Sequence, residues 1–131
     1  MSDDLKTRKE DQPLPIKNDE PLCHDIASEG LRRRFPTATI IEEVCADIEA
    51  RKQLGIKRYR YPLQPFNGRS FILDAYEEVL DAIAYNIGII HEAEQRGDNV
   101  YELALGHISL ERHAVLLKQL LRKEQDAKET N

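Results

Sequence analysis

The apolar positions of this chain fall into stretches with a helical period, separated by short polar or proline-bearing connections. Ile41, Val44, Cys45 and Ile48 recur at i, i+3, i+4 and i+7, which predicts a helix over about 39–54. Thr37 or Thr39 can cap its start through a hydroxyl, and Gly55 is a natural stop. The stretch 71–96 holds no proline and is rich in Leu, Ile, Ala and Glu, with Ser70 placed to cap it. Ile72, Tyr76, Val79, Leu80, Ile83, Ile87 and Ile90 cover one wide face of that helix, and Phe71, Leu73, Tyr85 and Ile89 put apolar groups elsewhere around it. A helix apolar on several sides is central to a fold or shared between subunits. Arg96-Gly97-Asp98-Asn99 ends it, and Leu110, Ala114, Leu117 and Leu121 predict a last helix that starts at Val100 or at Ser109 and runs to Arg122. Whether Gly106 divides that helix is open from the pattern alone. A short helix also fits within 22–35.

The connections complete this plan. Residues 1–21 carry Pro13, Pro15 and Pro21 among many charges and are expected to form a disordered or extended arm. Residues 55–69 form a basic and aromatic connection in which Pro62 and Pro65 exclude a regular helix and Asn67-Gly68 marks a turn. A polar tail is expected over 123–131, which leaves 22–122 as one helical domain. The predicted fold is therefore an all-α helical bundle. Its folded part, roughly 90 residues, is near the low end for a self-sufficient core, so the bundle is expected to be completed by oligomerisation.

Composition narrows the partners. The 131 residues are 33% charged and only 6% aromatic, which suits charged amphipathic helices better than a β-sandwich. A net charge of −5 argues against a nucleic acid polymer as partner, because such partners reward a basic surface. Nucleotides bridged by metal ions remain compatible with an acidic chain. Cys23 and Cys45 lack metal-type spacing and read as ordinary reduced thiols. No signal peptide or membrane-length apolar run is visible, so the expected compartment is the cytoplasm.

The densest chemistry lies in Asp74-Ala75-Tyr76-Glu77-Glu78-Val79-Leu80-Asp81. On a helix Asp74, Glu77, Glu78 and Asp81 share an arc of roughly 100°. Four like charges on one face repel, and a hard divalent cation such as Mg2+ or Mn2+ would turn the repulsion into coordination. The ordinary alternative is a solvated outer face. Against it, no Lys or Arg occurs between Arg69 and Arg96, and the stripe continues into Tyr85, Gly88 and Ile89 before returning to acid at Glu92. The preceding helix adds Glu42, Glu43, Asp47 and Glu49; Glu43 with Asp47 can face one way, and so can Glu42 with Glu49.

Glu77-Glu78-Val79-Leu80-Asp81 resembles the E-E-x-x-D signature of the MazG-like all-α nucleoside triphosphate pyrophosphohydrolases. The likeness is closer to a phage-type branch of that family. Asp47 and Arg51 match its Asp-x-x-x-Arg helix, and Gly55, Arg58 and Tyr59 match its Gly-x-x-Lys-Tyr-Gly element with Arg in place of Lys. Asn67, Gly68 and Arg69 match Asn-Gly-Arg; Asp74, Tyr76, Glu78 and Asp81 match D-x-Y-x-E-x-x-D. Arg60 stands where the branch has Gly, Asn86 where an aliphatic residue is usual, and the family's E-x-x-E motif is absent.

The resemblance implies cleavage of a nucleoside or deoxynucleoside triphosphate, with (d)GTP the first guess, to the monophosphate and pyrophosphate. It implies Mg2+ or Mn2+ held by Glu43, Asp47, Asp74, Glu78 and Asp81, with Glu78, Asp81 and Asp47 catalytic. Arg51, Arg58, Tyr59, Asn67 and Arg69 would contact the nucleotide. A homodimer or homotetramer in the cytoplasm, the host's if phage-encoded, is the implied assembly. The competing expectation is a non-enzymatic helical protein that binds a partner through the same helices.

Overall fold

The computed structural model describes residues 12–130, and the first half of the expected N-terminal arm lies outside them. Four helices make up the fold in the order α1 (Cys23–Arg34), α2 (Ile40–Tyr59), α3 (Phe71–Gln95) and α4 (Tyr101–Thr130), with no strand among the described residues. The chain is thus all-α. None of these helices is long and apolar enough to cross a membrane. The chain groups into two compact units, Pro13–Arg69 and a second that holds Gln12 and the described residues from Ser70 on.

In the first unit α1 and α2 pair as antiparallel neighbours. Three contacts give the register: Lys52 Nζ meets Asp25 Oδ1 at 2.9 Å, Cys45 Sγ lies 3.6 Å from the Ser28 carbonyl, and Arg32 Nε meets Glu42 Oε1 at 2.9 Å. Small residues make the close approach possible, since Ser28, Gly30 and Cys45 are buried. Two local expectations for α2 are corrected. Gly55 does not stop the helix, which runs one turn further to a left-handed cap at Arg60 (φ 69°). Helical Gly costs only about 1 kcal/mol, whereas Pro62 excludes the α conformation for the residue before it. No hydroxyl caps the start either: Thr39 is helical and makes no side-chain cap bond, and the Ala38 and Thr39 carbonyls accept from Ile41 and Glu42 N–H instead.

The extended residues before α1 run beside the 63–69 loop and are laced to it. Ile16 N–H donates to the Asn67 carbonyl, Cys23 N–H to the Leu63 carbonyl, and Gln64 Nε2 to the carbonyls of Asn18 and Glu20. Gln64 Oε1 accepts from Asn18 N–H. At Gly68 (φ 86°) a Cβ would lie 3.5 Å from Ile16, so the turn needs glycine for its backbone more than for space.

In the second unit α3 and α4 form a longer antiparallel hairpin. Ser70 caps α3 as the sequence predicts, accepting from Leu73 N–H at 3.1 Å. Its far end closes in a Schellman arrangement: Asp98 N–H reaches the Ala93 carbonyl, Gly97 N–H the Glu94 carbonyl, and Gly97 is left-handed. Asn99 Oδ1 then accepts from Tyr101 N–H and starts α4. The seam between the helices buries Leu73, Ala93, Ala114, Leu117 and Leu121, which includes most of the predicted α4 stripe. Gly106 does not divide α4, and residues 123–130, expected as a polar tail, continue it as helix. A backbone already in helical register adds one hydrogen bond per residue, which is enough to carry a polar segment onward.

Candidate functional site

The expected site residues fall in both units, and each group is described within its own. On α3 the unbroken helix from Phe71 to Gln95 brings Asp74, Glu78 and Asp81 to one side, with Tyr85, Gly88 and Glu92 following on the same side. Asp74 is half-buried, and Gln12 Nε2 donates to its Oδ1 at 2.9 Å; the Gln12 amide also accepts from Ser70 N–H, so it ties the first turn of α3 together. Glu78 and Asp81 are exposed, as is Tyr85 (74%), so within one chain this side of α3 is open surface rather than an enclosed cleft.

The opposite side of α3 carries an open groove at which Tyr76 meets Ala114, Val115, Lys118, Gln119 and Arg122 of α4. Lys118 Nζ stands 5.4 Å from the centre of the Tyr76 ring, within cation–π reach. Further along the hairpin Asn86 Nδ2 lies 3.2 Å from His107 Nδ1, and His107 Nε2 lies 3.7 Å from Glu111. Asn86, the departure from the family pattern noted above, is therefore the α3 half of a polar contact across the seam.

On α2 the four acids divide by their partners. Glu42 is held by the Arg32 guanidinium through both oxygens, a fork that pulls its carboxyl below the usual range and raises Arg32 above its own. Glu49 shares Lys52 with Asp25, and these hydrogen bonds raise the lysine. Glu43 and Asp47 are exposed and have no ion pair among the described residues. Arg51 and Arg58 are exposed as well, and Tyr59 is 47% exposed. Among the described residues no group of three or more His, Cys, Asp or Glu side chains is placed to hold a metal ion. Both cysteines are free thiols, and burial pushes Cys23 up, away from thiolate reactivity.

The 64–69 loop shows what periodicity does not reveal. Asn67, expected to touch a ligand, is 1% exposed and works inward: its Oδ1 accepts from Arg69 N–H and its carbonyl from Ile16 N–H. Its Nδ2 is buried without a hydrogen-bond partner among the described residues. Arg69 Nη1 donates to the Pro13 carbonyl at 2.7 Å. The outward residue is Phe66, 86% exposed and left-handed at φ 57°. A bulky residue in that conformation costs on the order of 1–3 kcal/mol and persists only where its surroundings hold it. Asn18 Nδ2 does so by donating to the Pro65 and Phe66 carbonyls at 2.8 and 3.1 Å. An aromatic before Asn-Gly reads as core by composition, so the only sequence signal for Phe66 is the turn itself.

No protein-family model, characterised protein or solved structure matches this chain. The reading of its function therefore rests on its own residues and on the motif resemblance.

Proposed function

We propose that this chain hydrolyses a nucleoside or deoxynucleoside triphosphate, (d)GTP among the candidates, to the monophosphate and pyrophosphate with a divalent cation. The observation that carries the reading is the composition of α3 as one unbroken helix. It aligns Asp74, Glu78 and Asp81 on one side of a helix whose own sequence contains no Lys or Arg. All-oxygen donors of this kind suit Mg2+ or Mn2+. Mg2+ commonly takes only one or two protein carboxylates and fills its shell with water and substrate phosphates. Such a cation supplies phosphate neutralisation and acidifies a water.

The remaining roles belong to the chain's own side chains. The oxygen of the water bonds to the α-phosphorus, the bond to the bridging oxygen breaks, and pyrophosphate leaves with the electron pair. Glu78 or Asp81 takes the water's proton. Arg51, Arg58 and Arg69 offer planar forks to phosphate oxygens. On α2, Glu42 and Glu49 are engaged by cations, which favours Glu43 and Asp47 as the acids left for metal or water.

The assembly proposed with this activity is a dimer or tetramer of identical chains. α4 is apolar on two sides: the seam residues Ala114, Leu117 and Leu121 are buried, while Tyr101, Leu105, Ile108, Val115, Leu116 and Leu120 are exposed. The second row lies opposite the seam, and a helix with two apolar faces is suited to a second helical neighbour. That row also favours one other reading, a helical partner-binding protein without turnover.

A panel of common NTPs and dNTPs, assayed for pyrophosphate with Mg2+ and with Mn2+, separates the two. The hydrolase reading expects release from at least one substrate, with Glu78→Gln and Asp81→Asn abolishing it while helical content is kept. No release from any substrate, with both variants neutral or more stable through relieved repulsion, favours the partner-binding reading.

A further inference from the structure

We propose that Phe66 is the stacking platform for the base of the bound nucleotide, an assignment that takes its ligand class from the nucleotide reading above. The Phe66 residue is 86% exposed, by far the most exposed large apolar residue of its loop. Its neighbours at 64 and 67 are buried, and Asn18 holds the carbonyls of Pro65 and Phe66 from the far side. The left-handed backbone at Phe66 thus comes with a cradle that keeps it in place. An arrangement that spends hydrogen bonds on pointing a bare phenyl ring into solvent needs a flat, weakly polar ligand, and a nucleobase offers such a face regardless of its identity.

Charge supports a nucleotide as the occupant. Between Glu49 and Asp74 the sequence has no acid, yet besides Lys52, which Asp25 and Glu49 engage, it carries Arg51, Lys57, Arg58, Arg60 and Arg69. This is a strongly cationic run in a chain of net charge −5. Cations for phosphate and a ring for the base lie together in the segment that ends in the Phe66 loop. One projecting ring fits a single base, and the acidic remainder of the chain disfavours a long polyanion.

The absence of tryptophan from the chain makes the test direct, because Phe66→Trp creates a sole tryptophan at the proposed contact, excited selectively at the red edge where the five tyrosines do not absorb. Nucleoside triphosphates should quench its emission saturably, and inorganic tripolyphosphate, which has no base, should not. In the wild-type background Phe66→Asn, which suits a left-handed backbone, should raise the nucleotide KM roughly ten-fold with folding stability kept or improved. Pyrophosphate release without quenching, and with an unchanged KM in Phe66→Asn, overturns the platform and leaves the hydrolase reading standing. Quenching without any release supports the platform and removes the hydrolase. Neither quenching nor release overturns both. Quenching by a single-stranded oligonucleotide but by no mononucleotide overturns the assignment in favour of a polymer.

Discussion

The two units of this chain are held together by different means. Pro13–Arg69 buries polar groups: Ser28, Gln64 and Asn67 are the inward residues of its helix pair and loop, and Cys45 is its only fully buried hydrophobic residue among those described. The α3–α4 hairpin buries Leu73, Ala93, Ala114, Leu117 and Leu121 along one seam. An apolar seam contributes most of its stability through area removed from water and tolerates variation in shape. Hydrogen bonds contribute little net stability each, about 0.5–1.5 kcal/mol, but they are directional, and leaving one unmade in the interior is costly. The first unit is therefore suited to holding a loop in one unusual shape, and the second to presenting a straight row of side chains.

The comparison can be tested from its strongest point downward. Leu121→Ala, at a seam position 2% exposed, should lower stability by about 2–5 kcal/mol in urea unfolding. A loss below about 1 kcal/mol would mean that the seam is not what holds the hairpin. Gln64→Ala removes the partner of Asn18 N–H and of the Asn18 and Glu20 carbonyls, and should cost about 1–3 kcal/mol. Faster hydrogen exchange should be confined to 13–22 and 63–69; an effect spread evenly over the chain would contradict a local polar lattice.

Leu116→Glu alters the exposed row of α4 without touching the seam. Sedimentation should show a smaller assembly while the unfolding free energy at the level of one chain moves by no more than about 0.5 kcal/mol. An unchanged sedimentation coefficient would remove this row from any subunit interface. The smallest effect belongs to Glu42. Arg32 holds its carboxyl below the usual range in the folded state, so the stability it adds is present above the unfolded carboxylate pKa and lost as pH falls through the lowered folded value. Wild type should exceed Glu42→Gln in thermal stability at neutral pH, the gap should close in acid, and high salt should shrink it because the pair is exposed. A gap that persists in strong acid would assign the effect to something other than this ion pair.

What could be read from the sequence was local. Helical periodicity placed α2, α3 and the body of α4, because the spacing that buries a side of a helix is written in consecutive residues, whereas for α1 the sequence offered only that a short helix fits within 22–35. Ser70 as a cap and Gly97 as the close of α3 were legible for the same reason: each acts on backbone groups a few residues away. The alignment of Asp74, Glu78 and Asp81 needed only that α3 be unbroken.

Whatever depended on a partner distant in the chain was decided by tertiary structure alone. Whether Gly55 stops α2 or Gly106 divides α4 turns on energies of about 1 kcal/mol, which packing overrides. The choice of which α2 acids are neutralised required Arg32 to come round to Glu42 and Lys52 to stand between Asp25 and Glu49. Asn67 turning in and Phe66 turning out required the strand of chain from Pro13 to Glu20 to offer its backbone and Asn18 as partners. Periodicity records the side of a helix that avoids water; it holds no record of which distant group will meet a given donor, and that pairing shapes the loop.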